Sequence, residues 1–600
     1  MKDPYQELEH LRKLASADPT MRFGKLLKIV RQEIFLAMSW ERVRTNKGSR
    51  TPGIDGQTRE DIDAKTFSNL AQELAERRYQ PKPVRRVYIP KGKNQRRGLG
   101  IPSIRDRILQ SAVAQVLEAI YEPIFRNCSY GFRPGRSTIH ALRHVARSYR
   151  TGATWAIEGD LQKCFDSLPH GVILNCLRKR IKDERFIDLI RRMLQAGVME
   201  DSRYEKTYSG APQGGLVSPI LMNVVLHEFD CWMEERWQAN PPRLTRQQQQ
   251  ARMNPEYARI SCNLYRWRAQ LRGRIPMGHQ TVEGLKCKIK AAIVEREKIP
   301  CYLQRQAIFY CRYADDYLAI LCGYAKTEAQ KLKQEMAEWL QENLGLTQHP
   351  EKTQITHWSE CFRFLGYDLR GQRNINGTRW LRLTIPPEAE RNLKQRVKKL
   401  CGYTQIPATD LFKSVNALMR GWTNYYRYAN NARQRFGYLT GLVFWLTAHY
   451  LGKKHKESIR KLMRIHYGVD PRTGYRALYI TQPDGKCLFI WNRAPSQRSV
   501  LSGQVNAQDT RPLIRYAWSR GHSYEQKLRL QGQHGNRCQH CGKVGSNLVV
   551  HHTNRLAKRS HHKQGPGNII QSAQEQQAKL ICPDCHRQHH PGGWYDAIAH

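Results

Sequence analysis

The sequence predicts a multidomain α/β protein with antiparallel strands, followed by a purely helical domain and a small Cys/His-rich module. Three observations lead there. At 600 residues the chain is long enough for about three to four domains of ordinary size. Short apolar runs of strand character alternate with segments of helical period in the first part, whereas residues 386–466 are helical in period throughout. The last 75 residues, 526–600, gather cysteines and histidines at metal-ligand spacing. With 40% hydrophobic and 25% charged residues the composition is globular.

In chain order, residues 21–43 carry apolar side chains at helical spacing, and residues 51–56 (TPGIDG) end that helix in a loop. Residues 85–90 (RRVYIP) read as a short strand that runs into a Gly- and Arg-rich turn over 91–100. Helical period returns at 106–120. Residues 154–161 are the next strand, followed by amphipathic helices over 170–182 and 185–196. Two strands, 307–313 and 317–321, flank a tight turn, and a helix over 326–344 follows. Residues 234–306 are polar and basic, with a glutamine run at 247–250 and few periodic apolar residues, so they are expected to decorate the core and not to build it. Helices over 391–400, 411–428 and 437–450 make the helical domain, and 473–524 reads as a short-stranded, loop-rich connection. No internal repeat is found.

The chain holds 99 Lys and Arg against 52 Asp and Glu, a formal charge of +47. A polyanion is the expected partner, because neutralising phosphates releases counterions and rewards many cations on one surface. No membrane partner is expected. The longest apolar stretch, 438–451, is interrupted by Thr440, Gly441, Thr447 and His449, well short of about 18 uninterrupted apolar residues. Residues 1–12 alternate acidic and basic side chains without a signal-peptide core, so a cytoplasmic location is expected. Most of the sixteen cysteines stand alone, as Cys164, Cys231 and Cys361 do, which suits a reducing compartment. The pairs Cys538/Cys541 and Cys582/Cys585 differ.

Tyr313-Ala314-Asp315-Asp316 places two adjacent carboxylates at a hairpin turn between apolar strands. Their repulsion calls for neutralisation, and Mg²⁺ prefers such hard oxygens together with substrate phosphates. Two ions about 3.5 to 4 Å apart activate a 3′-hydroxyl and stabilise departing pyrophosphate. A third carboxylate is then expected on a neighbouring strand, and Asp160, closing the run that contains Trp155-Ala156-Ile157, fits. An Asp-Asp turn alone is commonly a solvated hairpin tip. Here it has ordered company: residues 159–166 (GDLQKCFD), Pro212-Gln213-Gly214-Gly215, and Phe364-Leu365-Gly366-Tyr367.

That series resembles the ordered sequence blocks of a reverse transcriptase. Residues 101–110 (IPSIRDRILQ), 130–137 (YGFRPGRS) and 211–219 (APQGGLVSP) are similar to those of group II intron-encoded proteins in particular, and the likeness runs roughly from residue 21 to residue 590. The resemblance implies a right-hand fingers and palm fold over 1–375 with an insertion at 234–306, an α-helical thumb (maturase) domain over 376–475, a DNA-binding or linker region over 476–525, and an HNH endonuclease module over 526–600. It implies that Asp160, Asp315 and Asp316 hold the magnesium ions, and that Lys91 and Arg97, in residues 89–102 (IPKGKNQRRGLGIP), contact the incoming dNTP. Phe165 would exclude a ribose 2′-hydroxyl, Gln213 would touch the nucleotide, and Lys352 would lie near the triphosphate. The plain readings are solvated basic loops for the cations and core packing for Phe165.

Residues 420–427 interleave Arg420 and Arg427 with Trp422, Tyr425 and Tyr426, a pattern suited to base stacking with phosphate contact. The aromatics, with Leu418, also have core spacing, and core is the expectation for them. The segment is similar to the thumb of the same family, which implies binding of intron RNA to assist its splicing.

Four thiolates in two knuckles, Cys538, Cys541, Cys582 and Cys585, suit a structural Zn²⁺, although 40 residues separate the second from the third. Val549-Val550-His551-His552 and Cys585-His586-x3-His590 resemble the HNH nuclease motif, a ββα fold around one metal. The match makes His552 the general base and gives His551 and His586 to Mg²⁺ or a similar ion, with His590 an additional candidate. Asn568 is the candidate central Asn, though residues 571–577 lengthen the spacing beyond the motif's usual one. The reading is therefore an RNA-directed DNA polymerase and splicing maturase that nicks target double-stranded DNA and extends the nick. The alternatives are a splicing-only RNA-binding maturase and a retron or defence-type reverse transcriptase.

Overall fold

A computed structural model describes residues 3–90, 96–149, 152–200, 203–205, 209–210, 214–241, 253–276, 278, 281–299, 306–373, 379–492, 541, 549–552 and 578–581. The chain opens with α1 (Pro4–Ala17), capped by the Asp3 carboxylate, which accepts from the Tyr5 amide at 2.9 Å. The single helix expected over 21–43 is broken into α2 (Leu26–Val30) and α3 (Glu33–Arg44). Long-range pairing overrides local period at its start: the Phe23 amide donates to the Arg180 carbonyl at 2.7 Å and the Lys182 amide donates back to Phe23 at 2.8 Å. The same bridge ends α8 at Arg178, four residues before the expected 182.

After α4 (Ala64–Ala75), β1 (Val84–Pro90) and β2 (Arg96–Ile101) form an antiparallel hairpin. Helix α5 (Ile104–Tyr121) follows, N-capped by Ser103, whose hydroxyl accepts from the Asp106 amide at 3.1 Å. It is buried almost end to end, as a helix apolar on most of its faces must be. Then come α6 (Thr138–Tyr149), β3 (Ala153–Asp160), the short α7 (Cys164–Ser167), α8 (His170–Arg178) and α9 (Glu184–Leu194). Strands β4 (Val198–Glu200) and β5 (Arg203–Glu205) extend the first hairpin into a sheet of order β2-β1-β4-β5.

Helix α10 (Ser218–Trp237) leads to the 234–306 segment, which is not the irregular decoration its composition suggested. Its described residues include two helices, α11 (Pro255–Leu271) and α12 (Val282–Lys298), closed around their own small core of Ile260, Leu264 and Ala292. Three core positions per helix, Ile260, Leu264 and Trp267 on one and Ile289, Ala292 and Ile293 on the other, escape a periodicity count among polar and basic neighbours.

The central sheet joins β3 to β6 (Ala307–Tyr313), β7 (Asp316–Cys322) and β8 (Gln354–His357) in the order β6-β7-β3-β8, antiparallel throughout. Its side chains alternate between two cores, as a period of two demands. Ile308, Tyr310, Tyr317, Ala319 and Leu321 face the core built on α5 and on α13 (Lys326–Leu344). Cys311, Leu318, Ile320 and Cys322 face a second core shared with β9 (Cys361–Phe364), β10 (Tyr367–Arg373), β11 (Arg379–Thr384) and the helical domain.

That domain comprises α14 (Pro387–Gly402), α15 (Ala408–Tyr426), α16 (Ala432–His455) and α17 (Ile459–His466). It is closed by β12 (Tyr467–Val469), β13 (Arg476–Thr481) and β14 (Cys487–Phe489). Near the end of the chain, β15 (Val549–His552) pairs antiparallel with β16 (Ala578–Ile581). Among the described residues no helix is long and apolar enough to cross a membrane.

Candidate active site

The β6–β7 hairpin turns through Ala314 in the left-handed region, φ 61°, so that Tyr313 faces Asp316 in register. Across the next ladder Asp160, the last residue of β3, stands opposite Asp316. Directly opposed residues leave the same face of a sheet, so these two carboxylates are neighbours there. Asp315 sits in the turn itself. The Cys164 thiol, just beyond β3, registers its closeness to both: burial first, then the charges of Asp315 and Asp160, push its pKa up to about 12. Three acids from two parts of the chain thus collect at one end of the sheet.

The Lys352 ammonium lies 2.6 Å from the Asp160 carboxylate, brought there because residues 347–349 run beside β3's end, with Gln162 N donating to Thr347 O at 2.9 Å and His349 N to Asp160 O at 2.8 Å. Asp316 is exposed, and its charge adds to the burial that pushes the pKa of the Tyr425 hydroxyl, on α15, upward. Among the described residues no three acidic, histidine or cysteine side chains stand close enough to hold an ion as they are. Mutual repulsion opposes a tighter cluster, and Lys352 supplies the positive charge at Asp160. The donor set, hard carboxylate oxygens from adjacent strands, fits Mg²⁺.

A buried network that the sequence reading did not single out fixes this turn. Arg312, fully buried in β6, grips Asp230 of α10 with two hydrogen bonds at 2.7 and 2.6 Å, and donates to Asn223 Oδ1 and to the Ala314 carbonyl, each at 3.0 Å, and to Ser129 Oγ at 2.9 Å. Burial works against its charge, and Asp230 overcomes that penalty and drives the guanidinium pKa up. Asn223 in turn donates to the Gly131 carbonyl at 2.9 Å. A side chain at Gly131 would put its Cβ 2.3 Å from the Ala314 amide nitrogen, so only glycine lets the 130–137 loop seat against the acidic turn. The signal was present in sequence as an arginine inside an otherwise apolar strand.

The loop is anchored further by His144, whose ring lies 3.0 Å from both the Tyr130 hydroxyl and Asn240 Oδ1. Asn240 also pairs with both backbone groups of Tyr310. Burial lowers the His144 pKa to about 4. On the thumb side, the turn Phe364-Leu365-Gly366-Tyr367 is clasped by tyrosines: Tyr425 OH donates to Leu365 O at 2.8 Å, Tyr426 OH to Gly366 O at 3.1 Å, and Tyr367 OH to the Tyr425 carbonyl.

Of the other expected site residues, Phe165 is almost fully buried in the first core, its packing role met. Arg97 lies in β2 opposite Ile89. Arg420 is exposed on α15, and Arg427 ends it, stacked 4.8 Å over Tyr428. Trp422 and Tyr426 pack into the second core as expected, whereas Tyr425 is 39% exposed. His551 and His552 lie on β15, opposite Lys579 and Ala578. Cys541 is exposed. Lys91, Gln213, Cys538, Asn568, Cys582, Cys585, His586 and His590 lie outside the described residues.

Residues 89–265 and 284–369 match the family model of reverse transcriptase (RNA-dependent DNA polymerase), a span that includes all three acids. Residues 390–468 match the maturase-specific domain of group II introns. The chain belongs to the group II intron-encoded reverse transcriptase/maturase family. It is 28% identical to the group II intron-encoded protein LtrA of Lactococcus lactis subsp. cremoris over 98% of this chain and 99% of that one. Protein YkfC of Escherichia coli is 34% identical over 65% of this chain and 95% of its own length. The putative COX1/OXI3 intron 2 protein of Saccharomyces cerevisiae is 26% identical over 95% of this chain and 66% of its own. As a family member the chain carries a reverse transcriptase domain, which supports RNA-directed DNA polymerase activity, and a maturase domain, which supports binding and splicing of intron RNA.

Proposed function

We propose that the chain copies RNA into DNA at Asp160, Asp315 and Asp316, and that it also nicks target double-stranded DNA to prime that synthesis. The observation that carries the polymerase site is the in-register pairing of Asp160 with Asp316 beside the Asp315 turn. The three carboxylates would hold Mg²⁺, which when bound lowers the pKa of a primer 3′-hydroxyl and neutralises developing phosphate charge. Lys352 is placed to hand over from Asp160 to the triphosphate of an arriving dNTP, leaving the carboxylate free for the metal. Lys91, Arg97 and Gln213 line the nucleotide's approach, and Phe165 disfavours a 2′-hydroxyl. Residues 1–375 serve as fingers and palm, 376–475 as the thumb that grips intron RNA through Arg420 and Arg427, and 476–525 as the link to the nuclease.

For the nuclease, support comes from the antiparallel pairing of the His551-His552 strand with the strand that ends one residue before Cys582, the first two strands of a ββα module. Cys538, Cys541, Cys582 and Cys585 take a structural zinc. His552 acts as general base, His551 and His586 hold the nuclease metal with His590 beside them, and Asn568 orients the site. A cytoplasmic setting, with reduced thiols, suits the scattered cysteines.

Primer extension on an RNA template with Asp315→Ala tests the polymerase. Loss of dNTP incorporation is expected, and unchanged incorporation refutes the assignment. His552→Ala is expected to abolish DNA nicking while sparing extension of a supplied primer.

A further inference from the structure

We infer that a pocket on the fingers, between the end of α4 and the outer face of α9, binds an unpaired nucleotide of the RNA that the protein holds. The pocket has a volume of about 400 Å³, within the usual range for a site that takes a small ligand. Its floor is apolar, made of Leu74, Tyr79, Ile187 and Leu189, all buried. Its rim carries five guanidinium groups, Arg77, Arg178, Arg185, Arg191 and Arg192, against two carboxylates.

Both carboxylates are already engaged. Glu184 pairs with Arg178 at 3.1 Å, and Asp188 is shared by Arg191 and by Arg192 at 2.8 Å. Arg192 also donates to the carbonyls of Arg77 and Tyr79 at 3.1 and 3.3 Å, which fixes the wall of the pocket. Arg77, held at a left-handed φ of 61°, and Arg185 are both exposed at the rim. A concave site with surplus positive charge focuses an attractive field on phosphate. The apolar floor adds a surface on which a base can lie, and planar guanidinium groups suit phosphate oxygens. A paired base cannot enter such a pocket, so the ligand is a single-stranded nucleotide. None of the lining residues belongs to the strands that carry the acidic triad.

This inference rests on the reading that RNA is the partner. The test measures binding of the full chain to a single-stranded oligouridine across a salt series, for the wild type, for Arg77→Glu/Arg185→Glu, and for a charge-matched control on the exposed face of α12, Lys286→Glu/Lys290→Glu. The pocket variant is expected to bind about tenfold more weakly than the control and to reduce the slope of log affinity against log salt by about one, while the rate of primer extension at saturating template stays that of the control variant. Arg185→Gln, at an exposed position, should show a smaller loss in the same direction. Equal losses in pocket and control variants overturn the site. Saturable binding of adenosine monophosphate that the pocket variant loses, with oligouridine affinity unchanged, overturns the assignment to RNA in favour of a free nucleotide. A wild-type chain that binds no RNA refutes the partner as well, which separates that failure from failure of the pocket alone.

Discussion

Replacing Arg312 separates two jobs that the buried clamp performs at once. In Arg312→Met the Asp230 carboxylate, wholly buried and deprived of its bidentate partner, becomes an uncompensated charge. Stranding one member of a buried pair costs about 3 to 5 kcal/mol, so the single variant should be strongly destabilised. Arg312→Met/Asp230→Leu removes both charges at similar volume and is expected to recover most of that loss, since an apolar replacement of a buried pair is often neutral or better. It does not restore the hydrogen bond to the Ala314 carbonyl or the tie to Asn223. Hydrogen bonds from a charged donor contribute about 1.5 to 3 kcal/mol, which corresponds to roughly a 10- to 100-fold loss of polymerase rate if the turn must be held for the acids to meet their metal. Urea unfolding of the palm measures the first effect. Primer extension with a magnesium titration measures the second, with half-saturation moving to higher Mg²⁺ in the double variant. A double variant as stable and as active as the wild type would show that the clamp only fills space.

Gly131→Ala forces a methyl against the Ala314 backbone, and overpacking of about 1 to 3 kcal/mol should displace the acidic turn and lower extension by at least tenfold at unchanged RNA affinity. His144 and His227, whose pKa values burial lowers from 6.5 to about 4, bind protons more readily when unfolded, so stability is expected to fall as pH drops from about 6.5 to 4 and then to level off. Thermal melts of His144→Gln/His227→Gln across that range should lack most of the dependence. Tyr425→Phe/Tyr426→Phe removes two hydrogen bonds from the Leu365-Gly366 turn, about 1 kcal/mol each, and should shorten the products made per binding event while leaving single-nucleotide addition intact.

Strands and helices with strong local period were legible in the sequence, and so was the meeting of Asp160 with the Asp315-Asp316 turn, which the ordered company of the other blocks pointed to where the acid pair alone would read as a solvated hairpin tip. What escaped depends on partners distant in the chain. The bridge between Phe23 and residues 180–182 delays the start of one helix and shortens another, and nothing within either segment announces it. The α11–α12 hairpin escaped for a different reason: a core of three buried residues leaves too faint a period among ten basic side chains over 253–299. Lys352 read as a surface lysine by itself; its meeting with Asp160 needs the 347–349 segment to run along the end of β3.

The same reasoning explains how a chain of such positive charge keeps its acids where they work. An excess of Lys and Arg would neutralise any accessible carboxylate, yet at Asp160 one lysine, 55% exposed on a flexible stem, makes the contact. The rigid cation nearby, Arg312, is committed to Asp230 inside the protein and presents only a hydrogen bond to the back of the turn. A strongly hydrated ammonium at the surface is exchangeable, and a surface ion pair contributes at most about 1 kcal/mol, so a divalent ion with phosphate can displace it. A guanidinium in the same place would compete with the metal bidentately. Lys352→Arg should therefore raise the magnesium needed for half-maximal extension several-fold, whereas Lys352→Met should lower it and weaken dNTP binding instead. Identical magnesium curves for the two variants would mean that the lysine does not share its carboxylate with the metal.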